Sequence, residues 1–286
     1  MLMRMVRHLL RLVIAVVLLA GCGGPARVSF LNGAPVAPLG VPAEAYRPEG
    51  PGPFPAVVLL HGCEGVSDNS RRWAGWLRDQ GYVALIVDSW TPRGLKETCS
   101  YSVQDPPNTA RFEDAMGALR HLQARPDVDR AHVGIMGWSN GGVFSLAVVN
   151  GPSLERAKAR GALLPEPGFA AGIGVYPGGC DSLTGQRFVR PVLVVIGDAD
   201  DWTRAAQCVE MVQGMRAVGA DASIEVLPGA YHYFDFEGVA KTVLPNVGNE
   251  NRPGGCCGAT VASDAAALAI ARRRIAEFLG YHLRAK

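Results

Sequence analysis

Three observations predict an α/β fold, a single domain with a mostly parallel, doubly wound sheet and helices on both faces. Six short apolar runs recur along the chain, at residues 56–60, 82–87, 132–136, 170–176, 192–196 and 223–227. Their hydrophobicity is continuous rather than alternating, as in strands buried on both faces of a parallel sheet. Segments of helical period lie between them. Such alternation requires right-handed crossovers and places reactive groups at the carboxyl ends of the strands.

The first residues stand outside that pattern. Arg4, Arg7 and Arg11 lead into an unbroken apolar stretch from Leu12 to Ala20, and the stretch closes on Leu19-Ala20-Gly21-Cys22. It is too short for a bilayer core, which needs about 20 residues, so residues 1–22 read as a cleaved signal peptide. The Leu-Ala-Gly-Cys ending resembles the lipobox of bacterial lipoproteins. That resemblance implies diacylation of Cys22 and an exported protein, held at the bacterial envelope by its acyl chains. Residues 23–40, rich in Gly, Pro and Ala, are expected to form a tether, and residues 41–286 the folded domain.

The net charge of +2 falls to about −1 once the three leader arginines are removed, too balanced to suggest nucleic acid as a partner. Of seven cysteines, six lie beyond Cys22. An even number in an exported chain favours disulfides over metal, because no C-x-x-C spacing or histidine cluster accompanies them. The favoured pairing is Cys63 with Cys99 and Cys180 with Cys208. Cys256 and Cys257 are either bridged to each other or free. No metal and no cofactor are expected.

Two helices are explicit in the pattern. Phe112, Ala115, Met116, Leu119 and Leu122 share one face, with Arg111, Glu113, Asp114 and Arg120 off it; Leu268, Ala271, Ile275, Phe278 and Leu279 form the face of a closing helix. The strand at 132–136 runs into Gly137-Trp138-Ser139-Asn140-Gly141-Gly142, with a helix expected from about residue 142 to 150. A G-x-S-x-G segment between strand and helix exposes the serine Oγ at a tight turn and aims the helix N-terminus at charge developing there. Ser139 is the candidate nucleophile.

A nucleophilic serine needs a base. Of six histidines, His8 leaves with the leader, His121 lies in the amphipathic helix, His132 opens a strand and His282 is in the C-terminal tail. His232 follows the last predicted strand in a glycine-bearing loop that can carry the imidazole back over the sheet edge, and it is the expected base. His61-Gly62-Cys63-Glu64-Gly65 follows an early strand. Its glycines free backbone N–H groups to point inward, and the N–H groups of Cys63 and Asn140 are the expected oxyanion donors, each worth on the order of 10² to 10³ in rate.

The turn Gly197-Asp198-Ala199-Asp200-Asp201-Trp202 crowds three aspartates behind a buried strand. Asp198 is expected to hold the turn through its own side chain, and Asp201 to suit the N-terminal end of the next helix. A long Gly-, Asn- and Pro-rich stretch, 237–260, is either a substrate-shaping loop or a passive insertion.

On Pro53-Phe54-Pro55 through His61-Gly62, Gly137-Trp138-Ser139-Asn140-Gly141-Gly142, Gly197-Asp198-Ala199-Asp200 and Tyr231-His232-Tyr233-Phe234, the chain resembles the dienelactone hydrolase family of the α/β-hydrolases. The likeness spans roughly Val41 to Leu283. It implies an α/β-hydrolase fold and a Ser139–His232–Asp200 triad, because the family places its acid at the fourth position of the G-x-x-D turn. Two departures stand out. Members that open dienelactones use a cysteine nucleophile with a glutamate where this chain has Gly62. They also hold the substrate carboxylate with an arginine shortly after the base, where this chain has Phe234, Asp235 and Phe236. Arg93 is the remaining candidate anion contact.

The expected function is hydrolysis of small carboxylic esters through an acyl-enzyme. The same triad also serves acyltransferases and peptidases, and a non-catalytic envelope lipoprotein on this fold is the alternative from another class.

Overall fold

The computed structural model describes residues 24–100 and 108–284. The signal segment and Cys22 lie outside the described residues. Strands β1 (Ala26–Leu31), β2 (Gly40–Tyr46), β3 (Phe54–Leu60), β4 (Val83–Val87), β5 (Val128–Trp138), β6 (Gly172–Val175), β7 (Val192–Gly197) and β8 (Ala222–Leu227) form one sheet in the order β1-β2-β4-β3-β5-β6-β7-β8. From β4 to β8 all pairs are parallel, whereas β1–β2 and β2–β4 are antiparallel. The six predicted apolar runs are β3 to β8, and the central strands are buried along nearly their whole length.

Helices α1 (Asp68–Asp79), α2 (Asn108–Gln123), α3 (Asn140–Ala147), α4 (Gly151–Ala159), α5 (Ala205–Ala217) and α6 (Ala265–Leu283) complete the fold. Successive side chains of a strand point to opposite faces. Accordingly Gly134 of β5 meets Leu283 of α6, while Gly137 meets Gly141 at the start of α3. The Arg272 guanidinium of α6 sits over Trp73 of α1, so these two helices neighbour each other on one face.

The structure departs from expectation at three places. Residues 23–40 are not only a tether: β1 pairs along its length with β2, and Phe30 is buried. The helix expected over 142–150 is two. α3 ends at Ala147, and Asn150 then caps α4 by accepting from Ser153 N–H at 3.0 Å. Pro152 in the first turn of α4 offers no N–H to an incoming helix and so enforces the break. Finally, the 237–260 insertion carries β9 (Thr242–Leu244), which pairs antiparallel with β10 (Ala259–Val261).

The strand order reverses where β3 lies between β4 and β5, with Leu60 in register with Gly137. Ligands of open α/β sheets bind at such switch points. Here the His61 loop and the Ser139 turn leave the sheet side by side.

Candidate active site

Ser139 adopts φ 49 and ψ −115, a backbone conformation that non-glycine residues rarely hold and that persists where the surroundings over-determine it. Its N–H donates to Val175 O at 3.0 Å, extending the β5–β6 ladder, while its carbonyl accepts from Gly142 N at 2.9 Å. The flanking glycines follow from close approach. A Cβ on Gly141 would strike the Leu60 and His61 carbonyls, and one on Gly137 would strike Gly141. Ser139 opens onto a cavity of about 750 Å³ whose wall also includes Cys63, Asn140, Trp202 and Thr203.

His232 is fully buried, with Nδ1 2.7 Å from Asp200 Oδ2. Its ring packs between Tyr176 and Trp202, with centroids 4.3 and 4.7 Å away. Nε2 is buried without a hydrogen-bond partner among the described residues. Asp200 Oδ1 accepts from the N–H groups of Trp202 and Thr203, both at 2.9 Å, and Oδ2 also accepts from Thr203 Oγ1 at 3.1 Å. These donors keep the carboxylate turned toward the imidazole.

The other two aspartates hold backbone. Asp198 Oδ1 accepts from Gly229 N–H at 2.6 Å, tying its turn to the loop after β8 that leads to His232. Asp201 does not cap a helix; it anchors the insertion. It accepts from Asn249 Nδ2 at 3.1 Å, Thr260 N–H at 2.7 Å and Thr260 Oγ1 at 3.0 Å. At the far end of the insertion, Ala262 N–H donates to His232 O at 3.1 Å. The 237–260 stretch thus grips the backbone of both the acid turn and the base, and Gly248, Glu250 and Gly255 contribute to the cavity wall.

On the opposite wall Cys63 is bonded to Cys99. Cys180 is joined to Cys208, and Cys256 to its neighbour Cys257. The Cys63 carbonyl accepts from Thr98 N–H at 2.8 Å and Trp90 Nε1 at 3.0 Å, which holds the loop against its surroundings. His61 is structural: Nδ1 donates to Gly62 O at 2.7 Å, and Nε2 accepts from Ser89 N–H at 3.2 Å. Burial, aided by the charge of Arg111, lowers its pKa well below the ordinary histidine value, so it stays neutral. Among the described residues the other histidines lie elsewhere, with His121 stacked on Phe30 and His132 bonded to Asp129.

Two residues placed off the apolar face of α2 are buried nonetheless. Arg111 is 2% exposed, and it donates through Nη1 to Asn140 Oδ1 at 2.6 Å and through Nη2 to His61 O at 2.7 Å. One guanidinium therefore ties together the two loops expected to stabilise an oxyanion. Asp114, fully buried, accepts bidentately from Arg93 at 2.8 and 2.9 Å. Arg93 is spent on that pair and is not an anion contact for substrate.

Two further acids went unassigned in the sequence. Asp235 is buried and accepts from Asn69 Nδ2, Trp73 Nε1, Trp138 Nε1 and Tyr176 OH at 2.6–2.9 Å. It joins α1, the strand end before Ser139 and the tyrosine beside His232. Glu64 fills the space a side chain on Gly62 would need. Its Oε2 is buried and without a hydrogen-bond partner among the described residues, and burial pushes its pKa up to about 7. The one sequence signal for Asp235 is its place three residues after the base.

Residues 41–283 match the model of the dienelactone hydrolase family. A probable 2-oxo-3-(5-oxofuran-2-ylidene)propanoate lactonase of Bradyrhizobium sp is 25% identical over 193 residues, which cover 66% of this chain and 76% of that protein. Esterase EstD of Thermotoga maritima is 32% identical over 136 residues, 45% of this chain and 30% of the esterase. Among solved structures, a dienelactone hydrolase-like promiscuous phosphotriesterase from metagenomic libraries superposes with a TM-score of 0.64 at 21% identity, over 92% of this chain and 100% of that one. The dienelactone hydrolase of Anabaena variabilis gives a TM-score of 0.57 at 18% identity, again over 92% and 100%. The fold of both is the α/β-hydrolase sheet described above, and the chain belongs to the dienelactone hydrolase family.

Proposed function

We propose that this carboxylic ester hydrolase cleaves its substrates with Ser139 as nucleophile, His232 as general base and Asp200 as the acid that orients the base. The observation that carries this reading is the 2.7 Å bond between His232 Nδ1 and Asp200 Oδ2, which leaves Nε2 buried and unpartnered. With its proton on Nδ1 facing a carboxylate, the imidazole presents a lone pair on Nε2 to take the Oγ proton. Ser139 Oγ then attacks the ester carbonyl, and negative charge develops on the carbonyl oxygen. The N–H groups of Cys63 and Asn140, with the N-terminal end of α3, stabilise that charge.

His232 returns the proton to the departing alcohol as the tetrahedral intermediate collapses to an acyl-enzyme on Ser139. Water, deprotonated by His232, adds to the acyl carbon; collapse frees the carboxylic acid and restores Ser139. Phe234, Asp235 and Phe236 offer no cation beside the base, and Arg93 is bonded to Asp114. Carboxylic esters other than dienelactone itself are therefore the proposed substrates. Replacing Ser139 with Ala tests the scheme: hydrolysis of short p-nitrophenyl esters should fall to background, and unchanged turnover would sink it.

The same reading places the enzyme outside the cytoplasm, lipid-anchored through Cys22. The Cys63–Cys99 and Cys180–Cys208 disulfides support it, since such bonds persist in oxidising compartments. Labelled fatty acid should enter the wild-type chain in bacteria and not Cys22→Ser; equal labelling of both would remove the anchor.

A further inference from the structure

The cavity is not a simple bowl around the nucleophile. From Ser139 it runs along the half-buried flank of α3, past Val143, Phe144 and Ala147, and reaches Arg156 of α4 and Arg160, the residue that caps its C-terminal end. The span of α3 from Asn140 to Ala147 is about 10 Å at 1.5 Å per residue. Phe112, Val143, Phe144, Ala147 and Leu183 give the mixed wall an apolar side, and Arg156 and Arg160 add two cations.

Arg156 and Arg160 are four residues apart in sequence, and such a spacing places two side chains on one helix flank. Arg156 donates to the buried Ser153 Oγ at 3.0 Å, which orients its guanidinium from within the same wall. Neither arginine has a carboxylate within salt-bridge distance among the described residues. Glu155 of the same helix is taken by Arg187 at 3.1 Å, and Glu250 across the cavity lies 3.7 Å from Arg204. Glu113 of α2 feels the charge of Arg160 without pairing with it.

We propose that Arg156 and Arg160 form a subsite for an anionic group, a carboxylate, at the distal end of an ester whose apolar arm lies along α3. The subsite rests on the reading of the Ser139 cavity as the active site. A cavity with an apolar side along α3 and two guanidinium groups without a carboxylate partner among the described residues matches an amphiphilic substrate: the arm packs against Val143 and Phe144, and the anion meets planar donors suited to carboxylates. The anion is about the length of α3 away from the reacting carbonyl. Cations in the last turn of a helix also favour its dipole, so the test needs a readout that a purely structural role leaves unmoved.

That readout is the ratio of kcat/KM for matched anionic and neutral esters. Mono-p-nitrophenyl esters of adipic, suberic and sebacic acid are compared with p-nitrophenyl hexanoate, octanoate and decanoate, and a second series carries the carboxylate on the alcohol arm. In one of the two series the wild type should favour the anionic member at the longer lengths by about fivefold or more, the size expected of charge pairs open to water. Arg156→Gln/Arg160→Gln should bring that ratio down to about one or below, and high salt should reduce the wild-type preference in the same direction. A wild type that favours the neutral ester in both series, or a double variant that keeps the preference, overturns the subsite. Neutral-ester turnover that survives Ser139→Ala would instead overturn the triad, so the two failures are separable.

Discussion

Arg111 Nη1 lies 2.6 Å from Asn140 Oδ1, one residue beyond the candidate nucleophile, while Nη2 of the same guanidinium holds the His61 carbonyl at 2.7 Å. A single buried cation thus sets the separation of the Cys63 loop from the Ser139 turn. In the proposed mechanism oxyanion donors must be fixed where the charge forms, so this distance bears on catalysis there.

Arg111→Met, which keeps an unbranched stem and removes the guanidinium, should lower kcat on short esters by about 10² with a smaller change in KM. It should also destabilise the fold by about 2–4 kcal/mol, because it strips donors from two buried oxygens. Steady-state kinetics and urea unfolding measure the two effects, and an unaltered kcat in a folded variant would remove Arg111 from the oxyanion argument.

The three crowded aspartates should separate by assay. Asp200→Asn should cost on the order of 10⁴ in kcat, through loss of the tautomer that presents Nε2. Asp201→Asn should act on stability and on protection of the insertion, because its partners are Asn249 and Thr260. Hydrogen exchange across 245–262, read beside kcat, distinguishes the two. Equal losses of kcat in both variants would contradict the assignment.

Glu64 gives the fold a pH dependence of fixed sign. Its pKa is raised by burial from an ordinary 4.5 to about 7. Below the lower value the carboxyl is neutral folded or unfolded. As pH rises from there to about 7 the unfolded chain releases the proton first, so stability from this group falls, and above that window the loss is constant. Glu64→Gln should therefore gain stability relative to wild type between about pH 5 and about pH 8, on the order of 3 kcal/mol. A stability difference independent of pH across that range would contradict the burial of an ionisable Glu64. His232 lies within electrostatic reach of this carboxyl.

The sequence made the sheet and the Ser139 turn legible because both rest on local signals. Continuous apolar runs identify β3 to β8, and Gly137 and Gly141 mark a turn where a Cβ has no room. The edge hairpin was not legible. β1 is mostly exposed, with Val28 half-buried and Phe30 buried, so it lacks the continuous run that marks a central strand. Helix α1 carries both a Ser67–Ser70 capping box and a buried face of Trp73, Ala74 and Leu77, signals that went unread in the sequence. The second layer of the site was hidden for a related reason. Arg111, Asp114 and Asp235 carry charge, and charge reads as solvent exposure until its partners are known. Those partners lie 21 to 166 residues away in sequence, so no local pattern announces them.

The central claim is that Ser139 is the nucleophile and His232 its base. A fluorophosphonate probe, followed by intact-mass measurement and peptide mapping, tests it most directly on the folded protein. One adduct per chain on Ser139, lost in Ser139→Ala and strongly slowed in His232→Ala, is the expected result. No adduct on active wild-type enzyme, or one on a residue other than Ser139, would contradict the account.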